Sequence, residues 1–598
     1  MKLRERITGA VGGVSILYWL LFLKDVDSYY APYLVVGLAG ICLGLRRHIL
    51  QTGPSLSKKE YLLTDVFAAA MACMVLLANY QYFSPGETRF ANLRIVMAAL
   101  TVMVGGFASF RELLLGIACF GGIEPGTGQK KGKDRLLWAG MWGILAGVNA
   151  FVLFMAAYPG ILTQDSINQM RQIAEGVYSN AHPYYHTQLI RVCVKIGMWI
   201  FHDINAGVAL YSCFSIAVMA LCFVYVAETI DRVTGNRTLS VILFVWYLIM
   251  PYHITYSFTM WKDVFFGAVV TGLVVSVYRY LCKVGNQTVN FIVITVMSFG
   301  VCLLRSNGWT AFFLTAAAFA VLYKMKNRKL LITFVLVLVS SFAMKHPVLQ
   351  ALDVSQPDLM EAVGIPVQQI ARVVADGHAL SEEQSQLLEK VVDIEKIPET
   401  YVPYITNDTK DLVREKGNLE YISTHKMAFI KLYVQLGIQH PVSYIKAWID
   451  ETRGYWNAGY DRWKWRTEVR ENDLGIQRTV HSESVFHKLE LYLDLWETNP
   501  VLQLFVSIGF CTWIMLLCMY RAIIRRNKTN IFIGIPFLAI IATLLVAAPV
   551  YAEFRYVYAL FCAAPFVIIL TLFNLEQTKD DRPRENSSSH GTNSAVAL

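Results

Sequence analysis

Apolar runs of the length needed to cross a bilayer, about 17 to 25 residues each, recur along most of this chain. They fall at about 8–23, 31–45, 62–82, 93–117, 136–158, 206–229, 238–258, 264–282, 288–306, 309–325, 330–346, 499–520, 530–548 and 556–574, which predicts an all-α polytopic membrane protein of about 14 transmembrane helices. Two regions interrupt the run of short connections. Over 159–205, Gln188, Arg191, Lys195 and His202 recur at helical spacing among Leu189, Val192, Ile196 and Trp199, the pattern of a helix lying in the membrane interface. The stretch 347–498 is long, rich in Glu, Gln, Asp and Lys, and reads as a mainly helical extracytoplasmic domain. Ser381 with Gln384 gives a capping box there, and 423–452 alternates apolar and polar residues at helical spacing. The tail 575–598 is polar and reads as disordered. The resulting division is 1–135, a four-span N-terminal addition; 136–346, seven spans with the outer loop 159–205; 347–498, the outer domain; 499–574, three spans; and 575–598, the tail.

Composition agrees with the pattern. Of 598 residues 55% are apolar and 16% charged, against about 25% charged in an average soluble protein. The excess of 53 Lys and Arg over 44 Asp and Glu sits between hydrophobic runs, so the membrane accounts for it and nucleic acid is not implied. Arg46, Arg47, Lys130, Lys131, Lys324, Lys326, Arg525 and Arg526 fall on one set of loops, which by the positive-inside rule makes both termini cytoplasmic. A helix at 188–202 counted as a span would invert every later loop. The 11 cysteines lie almost wholly in apolar stretches without a CxxC pair, so neither a disulfide framework nor a zinc site is indicated. Lys2, Arg4 and Arg6 precede an apolar run with no small-residue cleavage site, the pattern of an uncleaved first span.

The stretch with most chemistry is 158–190, where Asp165, Gln169, His182 and His186 follow a Pro159-Gly160 break at the outer end of a span. Asp165-Ser166 opens a predicted helix, and Asp is a common helix cap; the two histidines beside Tyr184 and Tyr185 equally suit an interfacial belt. Other polar groups fall on the same side: Lys262 and Asp263 at the start of a span, Arg305 at the end of another, Glu553 and Arg555 at the start of the last. Each has a plain structural alternative, an interfacial anchor beside Trp261 or an ion pair of Arg305 or Arg555 with Asp263 or Glu553. Together they suit displacement at a sugar carbon whose leaving group is a lipid phosphate. A carboxylate takes the acceptor's proton, and arginines hold the departing phosphate.

The order of these features, a span, then PG with an Asp a few residues on, HP before an amphipathic interfacial helix, KD at a later outer span start and a late RY, resembles the GT-C superfamily of polytopic glycosyltransferases. More narrowly it is similar to bacterial membrane proteins related to the protein mannosyltransferases and to the lipid-phosphosugar-dependent arabinosyl and aminoarabinose transferases. The resemblance covers 136–346 and 499–574. It implies an inverting glycosyltransferase of the plasma membrane that moves a sugar from a polyprenyl-phosphate donor to an extracytoplasmic glycan, lipid or protein acceptor, such as a cell-wall or surface glycan. It implies Asp165 as catalytic base, Asp263 as the second-loop carboxylate that positions substrate or, in some members, a metal, and Arg305 and Arg555 as a lipid-phosphate clamp assisted by Lys262 or His182. From the residues themselves, His182 and Asp263 are added as groups that orient the acceptor, and Gln169, His186, Lys262 and Glu553 as further substrate-binding residues. Asp165 is flanked by Gln164 and Ser166, where the mannosyltransferases carry paired acids, which leaves a divalent cation (Mg or Mn) and the sugar open. The competing readings are a glycan polymerase or ligase using a lipid-diphosphate donor, a lipid or glycan transporter, and a scaffold.

Overall fold

The computed structural model describes residues 56–83, 89–126, 134–324, 326–458, 466–547 and 550–575. The expected spans at 8–23 and 31–45 and the expected disordered tail beyond 575 lie outside the described residues. Among the described residues there are helices and isolated β-bridges but no strand. Among the described residues nine helices are long and apolar enough to cross a membrane, ten when a bent pair is joined; the chain is an all-helical membrane protein.

The helices that matter for the site are α1 (Lys58–Ala78), α2 (Arg89–Cys119), α3 (Arg135–Ala156), α4 (Gln164–Glu175), α5 (Tyr184–Phe201), α6 (Ile204–Thr234), α7 (Arg237–Ile249), α8 (Pro251–Ser257), α9 (Lys262–Leu281), α10 (Gln287–Leu304), α11 (Gly308–Tyr323) and α12 (Arg328–Ala343). After the outer region come α13 (Ile508–Ile524), α14 (Lys528–Ala547) and α15 (Tyr558–Leu572). The span expected over 238–258 is broken: α7 and α8 meet at 63°, because Pro251 has no amide hydrogen to donate and instead starts a new helix at its first position. The span expected over 499–520 also differs. Its start is a short turn, 500–504, and the apolar helix α13 begins at Ile508, capped by Ser507.

Helix α9 is the hub. Its sequence VFFGAVVTGLVVSVY is apolar on all sides, and 89% of its central window is buried, as expected for a helix surrounded by others. It packs on α6, α10, α14 and α15. The last contact is close because Gly267 lacks a side chain: a Cβ there would lie 2.9 Å from the Tyr558 ring. The rim helices α10 and α12 leave their outward residues, Val289, Ile292, Val296, Ile332, Val335 and Leu336, exposed; lipid is the solvent that suits such surfaces. Helix α5 is not among the long apolar spans. It buries His186, Ile190 and Val194 and exposes Val192, Ile196, Trp199 and Ile200.

The region 347–498 is helical. Ser381 and Gln384 form the expected capping box, and 423–452 divides into helices Lys426–Gln439 and Pro441–Trp456, the break again falling at a proline. Part of this region has its own apolar clusters. Its helix Pro441–Trp456 packs on Gly364–Ala375 of the same region and also on α1, α13 and α14, placing Tyr444 in the region's own cluster and Ile449, Tyr455 and Trp456 in the main core.

Candidate active site

The chain leaves α3 through a tight turn. The Tyr158–Pro159 peptide is cis and Gly160 has φ +145°; a Cβ at Gly160 would sit 2.3 Å from Ser212 Oγ, whose hydroxyl donates to the Pro159 carbonyl at 2.9 Å. Only glycine meets both demands. The next residues run beside the segment preceding α9, with the Ile161 amide donating to Phe258 O and the Met260 amide to Ile161 O. Thr163, not Asp165, is the cap residue of α4. Its Oγ1 accepts from Trp261 Nε1 at 2.7 Å, and Ser166 Oγ donates to Met260 O at 2.8 Å. The first turn of α4 is thus fastened to the start of α9, and Asp165, freed from capping, faces Lys262.

Asp165 Oδ2 accepts from Arg555 Nη1 at 2.8 Å and from Lys262 Nζ at 3.3 Å. Lys262 Nζ also lies 3.4 Å from His182 Nδ1. An ammonium only donates, so Nδ1 is the acceptor and the ring proton is assigned to Nε2. Arg555 Nε is 3.3 Å from Glu553, and its guanidinium lies over the rings of Trp261 and Tyr556 at 5.2 and 5.1 Å. Beside this group Arg305 Nη1 is 2.9 Å from Asp263 Oδ1 and donates to the Tyr556 carbonyl. The Asp263 contact is an ion pair without hydrogen-bond geometry. Among the described residues neither carboxylate oxygen of Asp263 accepts a hydrogen bond, although both are buried. A buried carboxylate left in this state is the kind of group a ligand hydroxyl satisfies.

Burial by itself would raise the Asp165 carboxyl, but Arg555 and then Lys262 outweigh it and hold the group well below the usual carboxylate range. Burial, with repulsion from Lys262, brings His182 down to about 4, so the imidazole is neutral near pH 7. Glu553 moves the other way: burial raises it and the Asp263 charge adds to this, against Arg555. Two neighbouring carboxyls therefore have proton affinities pushed apart, a recurrent feature of acid–base sites.

Arg305 connects the cluster to a cavity of about 290 Å³ whose lining includes Asn180, Pro183, Trp309, Lys345 and His346. Lys345 Nζ donates to the carbonyls of Arg305 and Ser306, at a π-helical turn over Met344–Val348 that extends α12; such turns often mark functional positions. The Trp309 ring stands 5.8 Å from Phe313 and 6.0 Å from Phe342. Both phenylalanines are about half exposed on α11 and α12, so the cavity has the cations Arg305 and Lys345 on one side and Trp309 with the half-exposed Phe342 at its edge.

Seven of the nine residues expected at the site, Asp165, His182, Lys262, Asp263, Arg305, Glu553 and Arg555, come together. Gln169 and His186 form a separate buried layer: Gln169 Nε2 contacts His186 Nδ1 at 3.0 Å and Thr187 Oγ1 at 2.8 Å, and His186 Nε2 contacts Tyr211 OH at 2.8 Å. With at most 1% exposure they join α4, α5 and α6 and do not face the cluster's open side. Lys345, His346 and Trp309 were missed, although KHP at the outer end of a span carries the same signal as HP at 182–183. As for a divalent cation, no three His, Cys, Asp or Glu side chains converge as ligands among the described residues. Asp165, Asp263 and Glu553 are each already beside a cation, so the donor set does not fit a metal and no step is routed through one.

Residues 173–587 match the profile of a family of unknown function, DUF6020, and the chain belongs to that family. No curated protein and no solved structure matches it.

Proposed function

We propose that this DUF6020 member is a membrane glycosyltransferase that moves a sugar from a polyprenyl-phosphate donor to an extracytoplasmic acceptor. The observation that carries the reading is the Asp165–Arg555–Lys262 cluster set beside a cationic cavity with Trp309 and Phe342 at its edge. The donor's phosphate sits among Arg305, Arg555, Lys262 and Lys345, and its hydrocarbon tail leaves past Trp309 and Phe342 into the bilayer. Phosphate binding draws Arg555 and Lys262 away from Asp165, whose carboxylate regains proton affinity. The acceptor hydroxyl then gives its proton to Asp165 while its oxygen bonds to the anomeric carbon. The bond from that carbon to the phosphate oxygen breaks, and polyprenyl phosphate departs with the electron pair, held by the arginines. One displacement inverts the anomeric centre. Neutral His182 and the unsatisfied Asp263 carboxylate orient acceptor or sugar hydroxyls.

Support for a lipid-diphosphate donor comes from Lys345 and His346, which place further positive or donor groups beside Arg305. The test is transfer of labelled sugar from a panel of polyprenyl monophosphate and diphosphate donors to crude surface glycan, with wild-type protein and Asp165→Asn in parallel. Transfer by wild type from a monophosphate, lost in Asp165→Asn, is expected. Full transfer by Asp165→Asn would remove Asp165 as base, and turnover of diphosphate donors alone would replace the monosugar reading by the polymerase or ligase one.

A further inference from the structure

The opposite ends of α13, α14 and α15 enclose a second cavity, of about 250 Å³, lined by Arg521, Arg525, Asn527, Asn530, Thr571 and Asn574 among others. Helix α15 with its leading turn runs 19 residues from Phe554 to Leu572, which at 1.5 Å per residue puts this cavity roughly 28 Å from Arg555. It is a site independent of the cluster around Asp165.

Its chemistry is one-sided. Arg521 is 4% exposed, and among the described residues no carboxylate pairs with it. Its Nε donates to Thr571 O and its Nη1 to Ile117 O and Phe120 O. These carbonyls close the ends of α15 and α2, and they fix the guanidinium in place without cancelling its charge. Arg525, one helical turn on, also donates to Phe120 O, so the two cations share one face of α13. Asn527 caps the start of α14, its Oδ1 accepting from the Asn530 amide, so the positive end of that 20-residue helix adjoins the cavity. Asn530 and Asn574 also line it, their Nδ2 groups donating to Leu570 O and Gly121 O. None of the described lining residues is acidic. The carboxylate that touches the lining, Glu124, is held by Asn574 Nδ2 at 2.7 Å.

We propose that this cavity binds a phosphate-bearing anion at the membrane face opposite the candidate active site, with Arg521 as the buried charge and Arg525 as the exposed clamp. An arginine buried without a carboxylate partner, in the last turn of α13 and beside the first turn of α14, keeps a charge that phosphate oxygens can pair, and basic pockets between transmembrane helices are where anionic lipid headgroups dock. Free phosphate and a phospholipid headgroup offer the same group.

The test uses full-length protein in a neutral detergent. Its thermal unfolding midpoint is followed against inorganic phosphate, phosphatidylglycerol and phosphatidylcholine, and lipids retained through purification are counted by native mass spectrometry. Wild type is expected to gain stability with phosphatidylglycerol and not with phosphatidylcholine. A gain with inorganic phosphate as well would assign the site to the phosphate group itself, and a gain with phosphate alone would assign a soluble phosphorylated ligand. Arg525→Glu is expected to weaken the effective concentration at least about tenfold, the scale of one charge-assisted contact, with Arg525→Lys retaining most of it. Because Arg525 is exposed, these variants are expected to fold, and retained lipid supplies a readout apart from stability. Equal responses of wild type and Arg525→Glu, or no response to any anion, would overturn the proposal.

Discussion

The Asp165–Arg555 pair can be measured without knowing any substrate, through a double-mutant cycle of Asp165→Asn, Arg555→Gln and the two together. The contact is 2.8 Å, with the side chains 27% and 17% exposed, so the pair is neither fully screened nor fully dry. Two unit charges about 4 Å apart attract by about 4 kcal/mol at an effective dielectric constant of 20. Desolvation and the second cation, Lys262 at 3.3 Å, return part of this, so the coupling expected is about 1–3 kcal/mol. Each single change leaves a charge without its main partner, and the double change removes both, so the double variant is expected to be less destabilised than the sum of the singles. Unfolding of the detergent-solubilised protein by added anionic detergent, read by tryptophan fluorescence, gives the four stabilities. The pair lowers the folded carboxyl, so its contribution is complete above the unfolded value near pH 4 and declines as pH falls below it. Additivity within about 0.5 kcal/mol near pH 7 would refute the account of the cluster.

Glu451 is fully buried, and burial, against Thr406 and Lys410, raises it to about 8; its folded form therefore keeps a proton that the unfolded chain has lost above about pH 4.5. Stability from this group is full below that value and falls toward pH 8 by on the order of 1 kcal/mol per pH unit, so Glu451→Gln is expected to flatten the pH dependence of unfolding between pH 5 and 8, and an unchanged slope would exclude the carboxyl. In the transfer assay Glu553→Gln is expected to alter the pH profile while leaving turnover at the optimum within about tenfold, whereas Asp165→Asn lowers turnover about a hundredfold or more at every pH. The reverse ranking would make Glu553 the base. Trp309→Ala is expected to raise KM for a long-chain lipid donor several-fold with little change for a short-chain one, a split that an altered fold would not produce.

Much of the site was legible because polar residues are costly at membrane depth. Lys262, Asp263, Arg305, Glu553 and Arg555 could each be placed at the outer end of a span, and Asp165 after the Pro159-Gly160 break. The pairing was less legible. Arg305 with Asp263 and Arg555 with Glu553 follow from proximity of span ends, but the contact of Arg555 with Asp165 joins residues 390 positions apart and depends on the fastening of α4 to the α9 start through Trp261 and Ser166. Gln169 and His186 are expected at the substrate because they share the outer loop with Asp165 and His182, but sequence does not show which way a helix turns its polar side chains. Here α4 and α5 turn those two toward each other and Tyr211, and a buried hydrogen-bonded layer takes the place of a substrate contact. Prolines 251 and 441 reset two helices that hydropathy alone joins.

The arrangement also bears on how a strongly acidic carboxyl can serve as a base. With Arg555 and Lys262 both bound to it, Asp165 holds protons too weakly to take one from a hydroxyl. Those same two cations are the ones an incoming phosphate would attract, and a phosphate carries more charge than one carboxylate. On the proposed function Asp165 stands where the donor's phosphate would bind, keeping the partly buried Arg555 paired in its absence. In the proposed transfer reaction, arrival of the donor's phosphate would exchange one anion for the other and release the base only when there is a donor to attack. The consequence is measurable without turnover. Polyprenyl phosphate, the expected product, should bind Asp165→Asn more tightly than wild type, because the competing carboxylate is gone. If the two bind equally, the carboxylate and the phosphate do not compete for the same cations, and the base must be sought at Glu553 or His182.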